Sequence, residues 1–295
     1  MNFFYFIVFN LSVGLLPLAG VVEEGNILQQ LSILPQDTSA SKRQFDRRDT
    51  TTGKTGMLRK MQNNAFSSGE YLRFDIKYGF IAAGEAAMKI SDTVYSNGRN
   101  CWKIEFSVDS KPFFDWVYKV RDRYCTIVDA EGMFPWRFEQ HIREGGYQRD
   151  FVAEFDQIQH VARTSEGDHR IPPYVQDIMS AFYFTRLNDF SGYLPGEKLH
   201  LQNFYKDSTY ELDVKFKGRQ TVEVGAGKFN CIIIEPLAKE GGLFKSDGRV
   251  YVWLTDDERK IPVKVSTEIV IGSINSELIE YRGINGPITA KVEEE

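Results

Sequence analysis

The chain has 295 residues, 42% of them hydrophobic, 14% aromatic and 26% charged, with a formal net charge of −5. That apolar content excludes a disordered chain, and the acidic balance argues against a nucleic-acid partner, which calls for a basic excess. Cys101, Cys125 and Cys231 are too few for a disulfide scaffold and too scattered for a cysteine metal site.

From Phe3 to Ala19 the chain is almost uncharged and rich in Phe, Ile, Val and Leu, ending on the small residues Ala19 and Gly20. This resembles the apolar core and cleavage region of a secretory signal, although no Lys or Arg precedes it. The run falls short of the about 20 apolar residues of a membrane span. Residues 1–20 are therefore expected to be a signal peptide, with an uncleaved N-terminal anchor as the alternative, and the protein to be exported to the periplasm or outer envelope. Residues 21–68 show no sustained period. Their seven basic residues from Asp37 to Ser68 (Lys42, Arg43, Arg47, Arg48, Lys54, Arg59, Lys60) face three acidic ones. The expectation here is a flexible basic linker, with contact to an anionic membrane surface as its functional reading.

At Glu70 the pattern changes. Leu72, Phe74, Ile76 and Tyr78 alternate with Arg73, Asp75 and Lys77, which puts apolar and charged residues on opposite faces of a strand. The alternation recurs at Ala86–Ile90, Trp102–Val108, Phe134–Phe138, Tyr210–Phe216 and Ile261–Ile269, with turn signals between at Asn97-Gly98, Gly145-Gly146 and Lys217-Gly218. Roughly a dozen strands are expected, in an antiparallel sheet with one wet face. One segment departs from this rhythm. After Pro172-Pro173, residues 174–188 place Ile178, Ala181, Phe182 and Thr185 at helical spacing, with Asp177 in the first turn and Arg186 near the end.

The fold class predicted is mostly β: a large curved antiparallel sheet, half-barrel or barrel-like, with one principal helix. Strands in that number carry on the order of 50 inward side chains, whereas a helix of about 14 residues offers one apolar stripe. The sheet must therefore curl upon itself. Its interior is either filled by Trp102, Phe106, Phe134, Trp136, Phe138 and Phe216, or lined by them around an apolar ligand. Cys101 and Cys125 are both expected on the polar face, on strands joined by a turn at Lys111–Trp116, where a cross-strand disulfide is left open.

No GxSxG, HExxH, P-loop or strand-following GxGxxG is present. The four histidines are isolated from one another. No enzyme activity, catalytic residue, metal or cofactor is predicted.

A combination of segments resembles the DUF3108 family of bacterial envelope proteins of unknown function. These are Gly69–Gly84 (GEYLRFDIKYGFIAAG), Val120–Tyr124 (VRDRY), Met133–Pro135, Gln176–Arg186 (QDIMSAFYFTR), Pro195–Glu197, Val224–Gly227 and Trp253–Val263 (WLTDDERKIPV). The match extends over about residues 69–284. The closing strands are also similar to half-barrels of the LolA/LolB type, in which a curved sheet wraps a helix and holds acyl chains. The resemblance implies an envelope setting and brings no catalytic residues. Within its helix motif Asp177, Ser180, Tyr183 and Arg186 recur at every third position and are expected to cap the helix and contact the sheet. The domains expected are thus 69–285 as one β domain and 286–295 as a C-terminal tail. The leading expectation is an envelope protein that binds an apolar chain from a lipid or lipidated protein. A scaffold with a solid core is the alternative, and a hydrolase of envelope polymers the least favoured reading.

Overall fold

A computed structural model describes residues 58–95, 97–238, 249–268 and 272–293. The expected signal peptide or anchor, residues 21–57 of the expected linker, and Ile269 lie outside the described residues.

The chain runs through β1 (Tyr71–Tyr78), β2 (Ile81–Val94), β3 (Asn100–Ser110), the short helix α1 (Pro112–Tyr118), β4 (Arg121–Asp129), β5 (Pro135–Glu144), β6 (Tyr147–Asp156), β7 (Val161–Thr164) and β8 (Gly167–Arg170). Helix α2 (Ile178–Arg186) follows. The second half contains β9 (Lys198–Tyr205), β10 (Ser208–Val224), β11 (Gly227–Ala238), β12 (Val250–Thr255), β13 (Pro262–Glu268), β14 (Ser273–Arg282) and β15 (Lys291–Val292).

Among the described residues, all fifteen strands belong to one antiparallel sheet, ordered β8-β7-β6-β5-β4-β3-β2-β1-β14-β13-β12-β11-β10-β9, with β15 paired to β11. The fold class read from the alternation is the one observed, with a few more strands and with α1 where a turn was expected. β1 joins the two halves of the chain, pairing β2 on one side and β14 on the other. Its even positions Leu72, Phe74 and Ile76 are buried as the period of two requires.

The end strands β8 and β9 are edges, yet the sheet curls until its two ends meet through side chains: the β8 His169 ring lies 5.9 Å from that of Phe204, and β6 and β7 add further contacts. Thr164 Oγ1 donates to Asp207 (2.6 Å), Arg149 Nη1 donates to the Tyr205 hydroxyl (2.9 Å), and the Phe155 and Phe204 rings meet edge-on at 5.7 Å. Beside β9, the Gln176 N–H donates to Gln202 O and the Phe204 N–H to Gln176 O, at 2.9 and 2.7 Å. The segment leading into α2 thus covers the exposed ladder of β9, a common way to protect an edge.

Two expected boundaries shift. Residues 58–68, read as linker, pack on the domain: Phe66 and Ala65 are in the core, and Arg59 donates to Gly132 O and Met133 O, each at 2.7 Å. Lys60 pairs with Glu131 at 3.0 Å. The period of the strands stops short of this segment, so its role depends on distant partners. The expected tail is also docked. Ala290 is buried, Asn230 N–H donates to its carbonyl at 2.8 Å, and β15 lies along β11 over a second apolar cluster of Phe229, Cys231 and Val263. Just before it, Gly283 takes φ +66° where the chain crosses the start of the domain, and an added Cβ would stand 2.0 Å from Gly69 O. Only glycine fits so close an approach.

Candidate functional site

Helix α2 lies inside the curl and is the centre of the interior. Asp177 sits in extended backbone at its N-cap and accepts from Met179 N and Ser180 N at 2.7 and 3.0 Å, while the Ser180 hydroxyl accepts from Asp177 N at 2.9 Å. This reciprocal cap satisfies donors that the first turn leaves open. Asp177 also accepts from the Thr126 hydroxyl of β4 at 2.6 Å, which ties helix to sheet. Burial raises the Asp177 carboxyl above its ordinary pKa, against the hydrogen bonds that lower it.

At the other end of α2, Arg186 and Glu70 form a bidentate pair, Nη1–Oε1 2.6 Å and Nη2–Oε2 2.8 Å. Both are sealed from solvent, at 0% and 1% side-chain exposure. Arg186 Nη2 also donates to Arg259 O at 3.1 Å, and the guanidinium lies 5.0 Å from the ring centres of both Phe66 and Tyr183. Burial lowers the Arg186 pKa, and Glu70, close and opposite in charge, more than offsets it, so the shift is upward. All four predicted helix residues are therefore interior contacts, and the segment before β1, the helix C-terminus and the β12–β13 turn are clamped at one point.

The six ring residues predicted to fill or line the interior divide. Phe106, Phe138 and Phe216 are buried in the main core, and half-buried Trp102 packs against it, its ring edge-on to Phe66 at 5.3 Å. Phe216 lies near-parallel to Phe190, centres 6.3 Å apart. Phe134 and Trp136 belong instead to a separate cluster with Cys101. The β4–β5 register shifts between Ile127 and Val128, and such a bulge re-aims side chains that strict alternation would send inward. Trp136 stacks on Tyr95 and donates to Asp129 at 3.1 Å.

Cys101 keeps the facing expected of it, opposite Ile104 and Phe106, but is buried there by that cluster. It faces Asp129 across the ladder, whereas Cys125 faces Glu105, and both thiols are free. Burial pushes the Cys101 and Cys125 thiols up to about 12 and about 11. Among the described residues no group of three or more His, Cys, Asp or Glu could hold a metal ion.

Among the described residues, open clefts include three of note. One of about 640 Å³ lies over β2–β5 between Lys89, Lys103, Arg123, Arg137 and His141. Another, about 520 Å³, runs past the α2 exit between Asn64, Asp189, Asp256 and Lys260. The third, about 580 Å³, is bordered by Arg59, Tyr174, Phe184 and Leu201. Phe106 is the one predicted ring residue that borders any of these three.

Two features escaped sequence reasoning. Asp122 and Glu144, on neighbouring elements below α1, are both about 1% exposed and hydrogen-bond each other. Burial pushes Asp122 up to about 6, although the bonds from Glu144 and from Arg143 N (2.9 Å) lower it. Above them, Phe80, Phe113 and Trp116 stand out at 96%, 80% and 91% exposure. The signals were present in the chain: a Phe at the tip of the two-residue turn Gly79-Phe80, and the apolar run Phe113-Phe114-Asp115-Trp116-Val117 where a turn was expected.

The chain matches DUF3108, described as a protein of unknown function, over residues 73–279. It belongs to the DUF3108 family. No curated protein is similar to it in sequence. Among solved structures, this DUF3108 chain is similar to a β-barrel-like protein of the DUF1849 domain of unknown function from Brucella abortus. That match has 10% identity and a TM-score of 0.47, and covers 75% of this chain and 99% of that one. A candidate lipoprotein from Parabacteroides distasonis matches at 11% identity and TM-score 0.32, over 75% and 100% of the two chains. A candidate exported protein from Bacteroides fragilis with a YmcC-like fold matches at 14% identity and TM-score 0.28, over 74% and 97%. Likenesses of this degree fix neither an activity nor a ligand.

Proposed function

We propose that this DUF3108 protein is a non-catalytic component of the bacterial envelope that acts by contact through its outer surface, around a solid core. One observation carries the reading. The space inside the curl, where a held acyl chain would lie, is occupied by α2, and Phe66, Tyr183 and the closed Glu70–Arg186 pair there are each at 1% exposure or less. A core packed in this way is held by contacts that a ligand would have to displace. Export is supported by the apolar N-terminal run from Phe3 to Ala19.

A carrier reading, in which a lipid or lipidated partner occupies the sheet, is favoured by one feature: half-buried Trp102 on the core and Phe106 at the mouth of the β2–β5 cleft. Native mass spectrometry and lipid extraction of protein purified from envelopes separate the two. The expected result is the mass of the chain alone. A stoichiometric acyl chain bound to the wild type would refute the solid-core reading and support the carrier.

A further inference from the structure

No residue of helix α1 is buried, and at seven residues the helix is too short to be stable without its attachments. It is fastened at two points. In its first turn Asp115 accepts from Arg121 Nη1 and Nη2 at 3.0 and 2.6 Å and from the Ser110 hydroxyl. At its end the Tyr118 hydroxyl donates to Glu144 at 3.5 Å, and the Tyr118 ring lies against Gly145, where an added Cβ would stand 2.8 Å from it. Gly145 N–H donates to Lys119 O at 2.8 Å, and Val120 and Glu144 form a backbone bridge. The last turn of α1 and the β5–β6 hairpin are thus mounted together at Glu144.

Glu144 shares this place with Asp122. Both are about 1% exposed, and their carboxyl groups hydrogen-bond each other. That bond needs a proton, because an ionised carboxylate can only accept and two of them repel. The surroundings offer no substitute for it. Asp122 accepts from Arg143 N at 2.9 Å, but the Arg143 guanidinium pairs with Asp150. Arg123, the cation that acts on Asp122, is held by Asp109 of β3 at 2.8 Å. Burial raises the Tyr118 and Tyr124 phenols, which stay neutral, and Tyr205 of β9, beyond Tyr124, accepts from Arg149 at 2.9 Å.

We propose that Asp122 and Glu144 form a proton-operated latch: sharing a proton they hold α1 and the β5–β6 hairpin on the sheet, and when that proton passes to water the two like charges part and both elements loosen. The device is separate from the solid-core reading and does not depend on it. Burial places the folded Asp122 carboxyl at about 6, above the ordinary carboxyl range. The latched state therefore binds more protons than the loosened one between about pH 4 and about pH 6, and the latch weakens as pH rises through that window. The elements it releases carry Phe113, Trp116 and Tyr147, all exposed, so acidity sets how firmly this apolar edge is presented.

The test is hydrogen–deuterium exchange of the full chain, read by mass spectrometry across this pH range and corrected for the intrinsic pH dependence of exchange. Protection of peptides spanning 110–122 and 142–148 should fall about 10- to 100-fold from about pH 4 to about pH 7, the larger figure being two pKa units of differential proton binding. Peptides from α2 and β1 should hardly change. Asp122→Asn, whose amide can donate to Glu144 and still accept from Arg143 N, should keep its protection at every pH. Glu144→Gln should do the same, and serves if the first variant does not fold. Wild-type protection that ignores pH overturns the proposal. So does a loss spread evenly over the sheet, which would be global destabilisation, or an equal loss in both variants, which would assign the proton elsewhere.

Discussion

Substituting Glu70 by Leu would leave the Arg186 guanidinium in a site with no solvent and one remaining carbonyl partner, Arg259 O. Removing one member of a buried pair costs about 3–5 kcal/mol, because the surviving charge has neither water nor counter-charge. Domain stabilities are about 5–15 kcal/mol, so a sizeable fraction would be lost. For a domain of this size each kcal/mol shifts the melting temperature by about 2–4 °C, which predicts a fall of about 6–20 °C. Arg186→Met should cost a similar amount by stranding the carboxylate. The pair itself, however, gains little over well-packed apolar groups, since both ions had to be desolvated. Glu70→Leu/Arg186→Met, which keeps an apolar neighbour for Phe66 and Tyr183, should therefore recover most of the loss. Urea unfolding of the four proteins, with unchanged m-values, measures this as a double-mutant cycle. Single variants within about 1 kcal/mol of the wild type, or a double variant that simply adds the two losses, would refute the reasoning.

Asp122 sets a pH dependence of definite sign. Its folded pKa is raised to about 6, above the unfolded value, so the folded state binds more protons between the two and stability falls as pH rises through that window. Asp122→Asn should remove this slope and stabilise the protein at pH 7.5 by about 1–3 kcal/mol, measured by urea midpoints from pH 4.5 to 7.5. Asp177→Ala should cost about 1–2 kcal/mol from the lost helix cap, since the Thr126 hydroxyl keeps Arg137 O as an acceptor at 3.2 Å, whereas Asp177→Asn retains most of the stability in thermal melts. The three thiols, pushed up to about 12, 11 and 12 by burial, should react slowly with a disulfide reagent in the native protein and fully in denaturant. Half-buried Cys125 should react first.

What the chain states locally, it states clearly. The alternation in β1 and β3, the proline pair before α2 and the Asp177–Ser180 cap are short-range signals, and each is realised because period and capping depend on residues a few positions apart. The count of inward residues against a single helix also sufficed to require a curled sheet. Long-range pairing was another matter. Glu70 meets Arg186 across 116 positions, and Arg59 meets Gly132 across 73, so neither the start of the domain nor the role of the helix arginine could be read without the fold. A single bulge in β4–β5 moved Phe134 and Trp136 out of the main core, because one added residue reverses the facing that a period of two prescribes. The direction of α1 was likewise decided by tertiary structure. Its apolar run gives no hint of facing outward until Arg121, on the neighbouring strand, claims Asp115 from below.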